Sequence, residues 1–152
     1  MELIAHEIRT SDGVEKLRQI RNSGREGFAH HVDEISETQQ AEWWAANGNN
    51  VKAWLFQTDK GDEVGFGLLR PREDEDHAWW FSVAVLPEFQ GLGYGKQITD
   101  FCARSTHRLI YSQVRRDNIA GQRIHAGWLD LSAPGDELIT YVLALVRPPG
   151  SA

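Results

Sequence analysis

The sequence predicts a mixed α/β fold: one domain with a central mixed sheet and helices on both faces. Three observations lead there. Runs of strand-like alternation are interleaved with runs of apolar residues spaced near the helical period. The early and late strand-like runs come as hairpin pairs, whereas helix-spaced runs separate the middle ones, a pattern of a mixed sheet covered on two sides. Finally, 152 residues, 41% apolar and 25% charged, suit a single soluble domain with a real core.

In chain order, alternation over residues 3–8 gives a first strand. Ser11-Asp12-Gly13 offers a helix start before Val14, Leu17, Ile20 and Arg21, spaced for one helical face. Residues 24–37, with His30-His31, read as a loop. Ser36 or Thr38 caps a short second helix carrying Trp43 and Trp44, which ends near Asn47-Gly48. Residues 51–58 and 63–70 pair across the turn Asp59-Lys60-Gly61-Asp62. After a charged loop, residues 78–86 form a third sheet strand, stopped at Pro87. A helix from Gly93 places Ile98, Phe101, Cys102 and Ser105 at i, i+3, i+4 and i+7, one buried stripe. Residues 109–114 are the next strand. Asp117-Asn118 opens a helix reaching about Ala126, and residues 128–131 and 138–146 close the chain as strands. No repeat or linker divides the sequence, so residues 1–147 make one domain and 148–152 a frayed tail.

Charge and composition exclude several functions. A net charge of −6 weighs against nucleic acid, because phosphate contacts supply most of a nucleic-acid binder's affinity. Basic clusters remain at Arg70/Arg72 and Arg115/Arg116, suited to a small phosphorylated ligand, while the acidic runs at 34–42 and 73–76 read as solvated surface. No apolar stretch nears the ~20 residues of a membrane span, and no secretory signal opens the chain. The single cysteine, Cys102, excludes an intramolecular disulfide and a multi-cysteine metal cluster, and it fits a reducing cytoplasm.

The most informative segment is the strand, then Pro87-Glu88-Phe89-Gln90-Gly91-Leu92-Gly93-Tyr94-Gly95, then a helix. A helix N-terminus leaves backbone N–H groups unpaired and carries the positive end of the dipole, which makes it an anion site. Glycines at 91, 93 and 95 remove the β-carbons that would hold a diphosphate away. A P-loop would need Ser or Thr after Gly95-Lys96, where Gln97 stands, and a first glycine where Gln90 stands. A dinucleotide fingerprint needs Gly-x-Gly-x-x-Gly, but these glycines run Gly-x-Gly-x-Gly.

Gln90-Gly91-Leu92-Gly93-Tyr94-Gly95, led in by Val83-Ala84-Val85-Leu86-Pro87, resembles the acetyl-CoA motif of the GNAT superfamily of N-acetyltransferases. Asp117-Asn118, Ala120 and Gly127-Trp128 are similar to that family's later Asn…Gly-Phe segment, at tighter spacing. Arg21-Asn22, Ile35-Ser36 and Trp43-Trp44 are similar to a branch that acetylates amino sugars on nucleotides or protein N-terminal amines.

The resemblance implies a largely antiparallel mixed sheet of about six to seven strands flanked by about four helices. It implies acetyl-CoA as cosubstrate and no metal. Val83 and Val85 would pair their backbone with the pantetheine arm. The N–H groups of Gln90, Gly91, Leu92, Gly93, Tyr94 and Gly95 would hold the diphosphate, with Lys96 as charge partner. Asn118 would contact the pantetheine arm, cap a helix, or do both. The carboxylate many relatives use as base is replaced by Trp79, which leaves His77 as a base acting through water, unless it is simply an exposed loop histidine. The family's tyrosine acid falls on His125, chemically reasonable because imidazole both donates and accepts near neutral pH. Tyr94, Tyr111 and Tyr141 are weaker candidates for that role.

On the acceptor side, His30 and His31 lie where relatives keep acceptor-binding loops. They do not converge on a metal, because adjacent histidines point apart and lack further ligands. In each pair, Trp43-Trp44 and Trp79-Trp80, one ring packs and the other faces the acceptor pocket, with Trp79 a candidate contact. Cys102 reads as core. The expectation is acetyl transfer by direct attack in a ternary complex, to a small-molecule amine such as an amino sugar or amine metabolite. The alternatives are a protein N-terminus, another acyl donor, or a CoA-binding module without chemistry. No nucleic acid or membrane partner is expected, and the assembly is a monomer or homodimer.

Overall fold

The computed structural model describes residues 2–24 and 33–144. In order, the elements are β1 (Ile4–Glu7), α1 (Ser11–Ser23), α2 (Glu37–Asn47), β2 (Lys52–Gln57), β3 (Glu63–Pro71), β4 (Ala78–Val85), α3 (Tyr94–Arg104), β5 (Leu109–Arg115), α4 (Ile119–Ile124), β6 (Leu129–Asp130) and β7 (Leu138–Leu143). They form one seven-stranded sheet in the order β1-β2-β3-β4-β5-β7-β6. Every pairing is antiparallel except β4 with β5.

Local chemistry sets the helix ends. Thr10, rather than a residue of Ser11-Asp12-Gly13, caps α1, its hydroxyl accepting from Gly13 N at 3.3 Å. Ser36 and Gln39 form a reciprocal capping box at α2, each side chain bonded to the other's backbone N–H. Those reciprocal bonds fix the start of a helix that is otherwise only weakly amphipathic.

The two faces of the sheet follow the period-two rule. Ala53, Leu55, Phe66 and Leu68 point toward α1, where Val14, Leu17 and Ile20 cover them. Phe56, Leu69, Trp79, Phe81 and Ile110 point the other way, onto Ile98, Cys102 and Ala103 of α3. Each large apolar side chain so buried contributes roughly 1.5–3 kcal/mol, and β3, sandwiched between both layers, is buried from Val64 to Leu69. Burial also pushes the Cys102 thiol well above its ordinary pKa, as expected of a core cysteine rather than a nucleophile.

The crossover pattern holds for β4–α3–β5 and again for β5–α4–β6: β7 inserts between β5 and β6, antiparallel to each, so β5 and β6 run parallel. Two lengths differ from expectation at the C-terminal side. α4 ends at Ile124 and β6 is two residues long, both shorter than their apolar patterns suggest. The tail expected at 148–152 lies outside the described residues.

Candidate acetyl-CoA and acceptor site

The parallel ladder between β4 and β5 covers only Ala78–Trp80 against Leu109–Tyr111. Beyond Trp80 the two strands separate: β4 continues with β3, and β5 continues with β7. The β5-facing edge of β4 from Phe81 to Val85 therefore has no strand partner. A cavity of about 1160 Å³ opens in this split, lined by Val83 and Val85 on one side and Ser112, Gln113 and Val114 on the other. An extended chain bearing amides can add to such an edge as a strand would.

At the end of β4, Pro87–Phe89 forms one turn of 3-10 helix, and the chain then folds back. The Gln90 side chain donates Nε2 to the Val85 carbonyl at 3.1 Å, closing the turn over the strand end. Gly91 (φ 78°) and Gly93 (φ 85°) both adopt left-handed backbone, which side chains with a β-carbon resist. Gly93 caps α3 without any side-chain bond, and the first intrahelical bond is Gln97 N to Gly93 O at 3.3 Å. The N–H groups of Gly95 and Lys96 precede it and have no acceptor within the helix.

Gly95 serves a second purpose that motif reading missed. A β-carbon there would stand 2.7 Å from Ile124 Cδ1, so its absence lets α4 pack against the helix start. Lys96 lines the cavity and pairs with Asp100 at 3.3 Å. Leu92, by contrast, is 61% exposed and does not line the cavity. Asn118 is the α4 cap, its Oδ1 accepting from Gly121 N at 2.9 Å, and it also lines the cavity. Among the residues described, this ring of glycines, an uncapped helix start and an open strand edge fits a diphosphate with an amide-bearing arm.

His125 caps the C-terminus of α4 and is 2% exposed. Its ring stacks on Tyr141 at 4.9 Å and meets Trp128 edge-on at 4.8 Å. Nδ1 lies 2.7 Å from the Gly121 carbonyl and so must donate; Nε2 lies 2.8 Å from Ser112 Oγ. Burial holds the imidazole below its ordinary pKa, with the Gly121 carbonyl opposing and the Lys96 charge assisting. The ring is therefore neutral, and Nε2 accepts from the Ser112 hydroxyl rather than presenting a proton. Ser112 itself lines the cavity, and nothing in the chain's motifs pointed to it.

Of the other proton-transfer candidates Tyr94 lines the cavity, whereas His77, Tyr111 and Tyr141 do not. His77 is exposed at the start of β4 with φ 59°, six residues before Val83. At ~3.3 Å per strand residue it stands about 13 Å from the start of the open edge at Phe81, and it does not line the cavity. Tyr111 donates its hydroxyl to Glu75 at 2.9 Å, and Tyr141 lies behind His125.

The far wall of the cavity lies on the α1/α2 face: Leu17 and Arg21, Gln40 and Trp43, with Arg70 and Trp80 from the sheet. Trp79 is corrected here. It points to the α3 face, buried, with Nε1 donating to Thr106 Oγ1 at 2.9 Å, and its neighbour Trp80 faces the cavity instead. Asn22 grips both backbone atoms of Ile35 at 2.9 Å, and Arg18 donates to the same carbonyl, fixing the approach to α2. His30 and His31 lie outside the described residues. No group of three metal-capable side chains and no membrane-length apolar helix occurs among the described residues.

A split parallel strand pair beside a glycine-rich, uncapped helix start defines a CoA-binding acyltransferase type of fold. Residues 14–128 match the acetyltransferase (GNAT) family, and the chain belongs to it. A stretch of 81 residues is 36% identical to mycothiol acetyltransferase of Streptomyces griseus, covering 49% of this chain and 25% of that protein. Three solved structures share the fold. A suspected acetyltransferase of Acinetobacter baylyi is 18% identical, with TM-score 0.77 over 94% of this chain and 92% of that one. A domain from Methanocaldococcus jannaschii is 13% identical, with TM-score 0.76 over 95% and 99%. Spermidine N-acetyltransferase of Vibrio cholerae, solved with CoA and spermine, is 14% identical, with TM-score 0.70 over 93% of each chain.

Proposed function

We propose that this chain moves an acetyl group from acetyl-CoA to a primary amine of a small molecule by direct attack in a ternary complex. The observation that carries this reading is the continuity of the cavity. It runs from the Gly91–Lys96 turn, along the free edge of β4, to the Arg70–Trp80 wall on the opposite face of the sheet.

Val83 and Val85 hold the pantetheine arm along the strand edge, and the turn with Lys96 holds the diphosphate, where opposite charge and backbone N–H groups act together. The bound thioester supplies the acetyl group. Transfer forms a C–N bond and breaks a C–S bond, and one proton passes from the amine to the thiol. Holding amine and thioester in contact supplies a large part of the acceleration.

No carboxylate lines the cavity among the described residues, so the amine sheds its proton to water or binds already neutral. Ser112, hydrogen-bonded to neutral His125, is the hydroxyl placed in the split, and we assign the pair to positioning the sulfur end. A thiol-release assay over a panel of amines at several pH values tests the reading. The expected result is acetyl-CoA-dependent release whose kcat/KM rises with pH toward the pKa of the amine. Release that ignores the amine, or that is absent with every amine while acetyl-CoA binds, overturns it in favour of a binding-only module.

A further inference from the structure

Two arginines flank the indole of Trp80, and they differ in one respect. The Arg72 guanidinium lies 4.7 Å from the ring and is neutralised by Asp74 at 2.7 Å and Glu75 at 3.7 Å. The Arg70 guanidinium lies 5.9 Å from the same ring and has no hydrogen-bond or ion-pair partner among the described residues. Arg70 lines the cavity and Arg72 does not.

The sheet register places Arg70 opposite Trp80, five residues before Val85 on β4. That is about 17 Å along the strand from the end where the glycine turn lies. Arg70 is thus remote from the diphosphate end and sits beside the acceptor wall, where Arg21 also lines the cavity. Partial desolvation lowers the pKa of both guanidiniums, with Glu73 partly opposing at Arg70. In all, the described cavity wall carries Arg21, Arg70, Lys96 and Arg123 and no Asp or Glu, in a chain of net charge −6. Lys96 and Arg123 sit with α3 and α4 on the donor side. Arg70 remains for the acceptor, with Arg21 lining the same wall.

We infer that the acceptor amine carries an anionic group, carboxylate or phosphate, which Arg70 binds over Trp80 with Arg21 on the same wall; this rests on the acetyl-transfer reading above. A guanidinium offers forked N–H donors that match either oxyanion, and an unpaired one beside an aromatic face is poised to take it. Among the described residues a polycationic acceptor finds no counter-charge on this wall, so on this proposal spermidine is a poor acceptor.

The test is thermal melting of the CoA-saturated protein against matched amines that differ in one anionic group. The pairs are phenylalanine with phenethylamine, 4-aminobutyrate with butylamine, and O-phosphoethanolamine with ethanolamine, with spermidine alongside. The anionic member of at least one pair should bind about tenfold to hundredfold tighter, and the pair that responds separates carboxylate from phosphate. Arg70→Gln should erase that preference and leave the neutral member within about twofold. The inference fails if neutral members bind as well in every pair, if spermidine binds best, if no amine binds, or if Arg70→Gln weakens both members alike. Failure of CoA itself to stabilise the protein strikes the acetyl-transfer reading instead. The amine arms, run without CoA, still decide the anion site.

Discussion

The two halves of the cavity are built from different materials. The donor half is mostly backbone: a free strand edge, two left-handed glycines and a helix start that no side chain caps. It comes from one short stretch, residues 81–96, with α4 leaning on it through Gly95. The acceptor half is mostly side chain. Its wall is assembled from α1, α2, β3 and β4, so Arg21, Gln40, Trp43, Arg70 and Trp80 meet only after the sheet has closed. A backbone site tolerates little change at few positions, whereas a side-chain site can be retuned one residue at a time without disturbing the fold.

That contrast is broken most severely at Gly95. Gly95→Leu drives a side chain into Ile124, and overpacking of this kind costs typically 1–3 kcal/mol. At about 2 kcal/mol the melting midpoint of a chain this size falls by roughly 4–8 °C, and acetyl-CoA affinity should fall by more than about tenfold as α4 is displaced. Calorimetry and melting curves check both. Retained affinity in a destabilised protein would detach the glycine from the donor site.

Next in size is His125. Its folded pKa is lowered, so the unfolded chain takes up a proton as pH drops below 6.5 while the folded chain resists. Stability should therefore be full above about pH 7 and decline as pH falls through 6.5 toward the folded value, by at most about 1.4 kcal/mol per pH unit. His125→Phe should flatten that decline in melting curves taken between pH 7.5 and 5. An equally steep decline in the variant assigns the effect to other groups.

Smaller effects sharpen the boundary between the halves. Asn118→Ala removes the α4 cap, at about 1 kcal/mol. If capping is its whole role, acetyl-CoA affinity stays within about threefold once measured well below the melting point; a larger drop adds direct contact with the pantetheine arm. Lys96→Gln should weaken acetyl-CoA by less than about threefold at physiological salt, because the ammonium is exposed, shared with Asp100 and screened.

The same difference in material explains what could be read from the chain. Periodicity gave the strands and helices in order, because each buries one face and its apolar spacing records which. The Gln90–Gly95 turn was legible because glycine is itself the signal when backbone must approach an anion. The insertion of β7 between β5 and β6 was not, since strand pairing order leaves no local mark. Trp79 and Trp80 are equally aromatic neighbours. Only the phase of β4 decides which one meets Thr106 and which meets the cavity, and a one-residue slip exchanges them. Ser112 escaped notice for a related reason: a serine on a buried strand carries no pattern, and its role depends on where His125 arrives from α4. Arg70 stood out as part of a basic pair, but sequence alone could not tell that Arg72 keeps its carboxylates while Arg70 does not.

The most direct test of the central claim is a calorimetric titration of the protein with acetyl-CoA and, separately, with NAD. The split strands and glycine turn predict one-to-one binding of acetyl-CoA, lost in Gly95→Leu, and no binding of NAD. Binding of NAD without acetyl-CoA, or acetyl-CoA binding untouched by Gly95→Leu, would contradict the site described here.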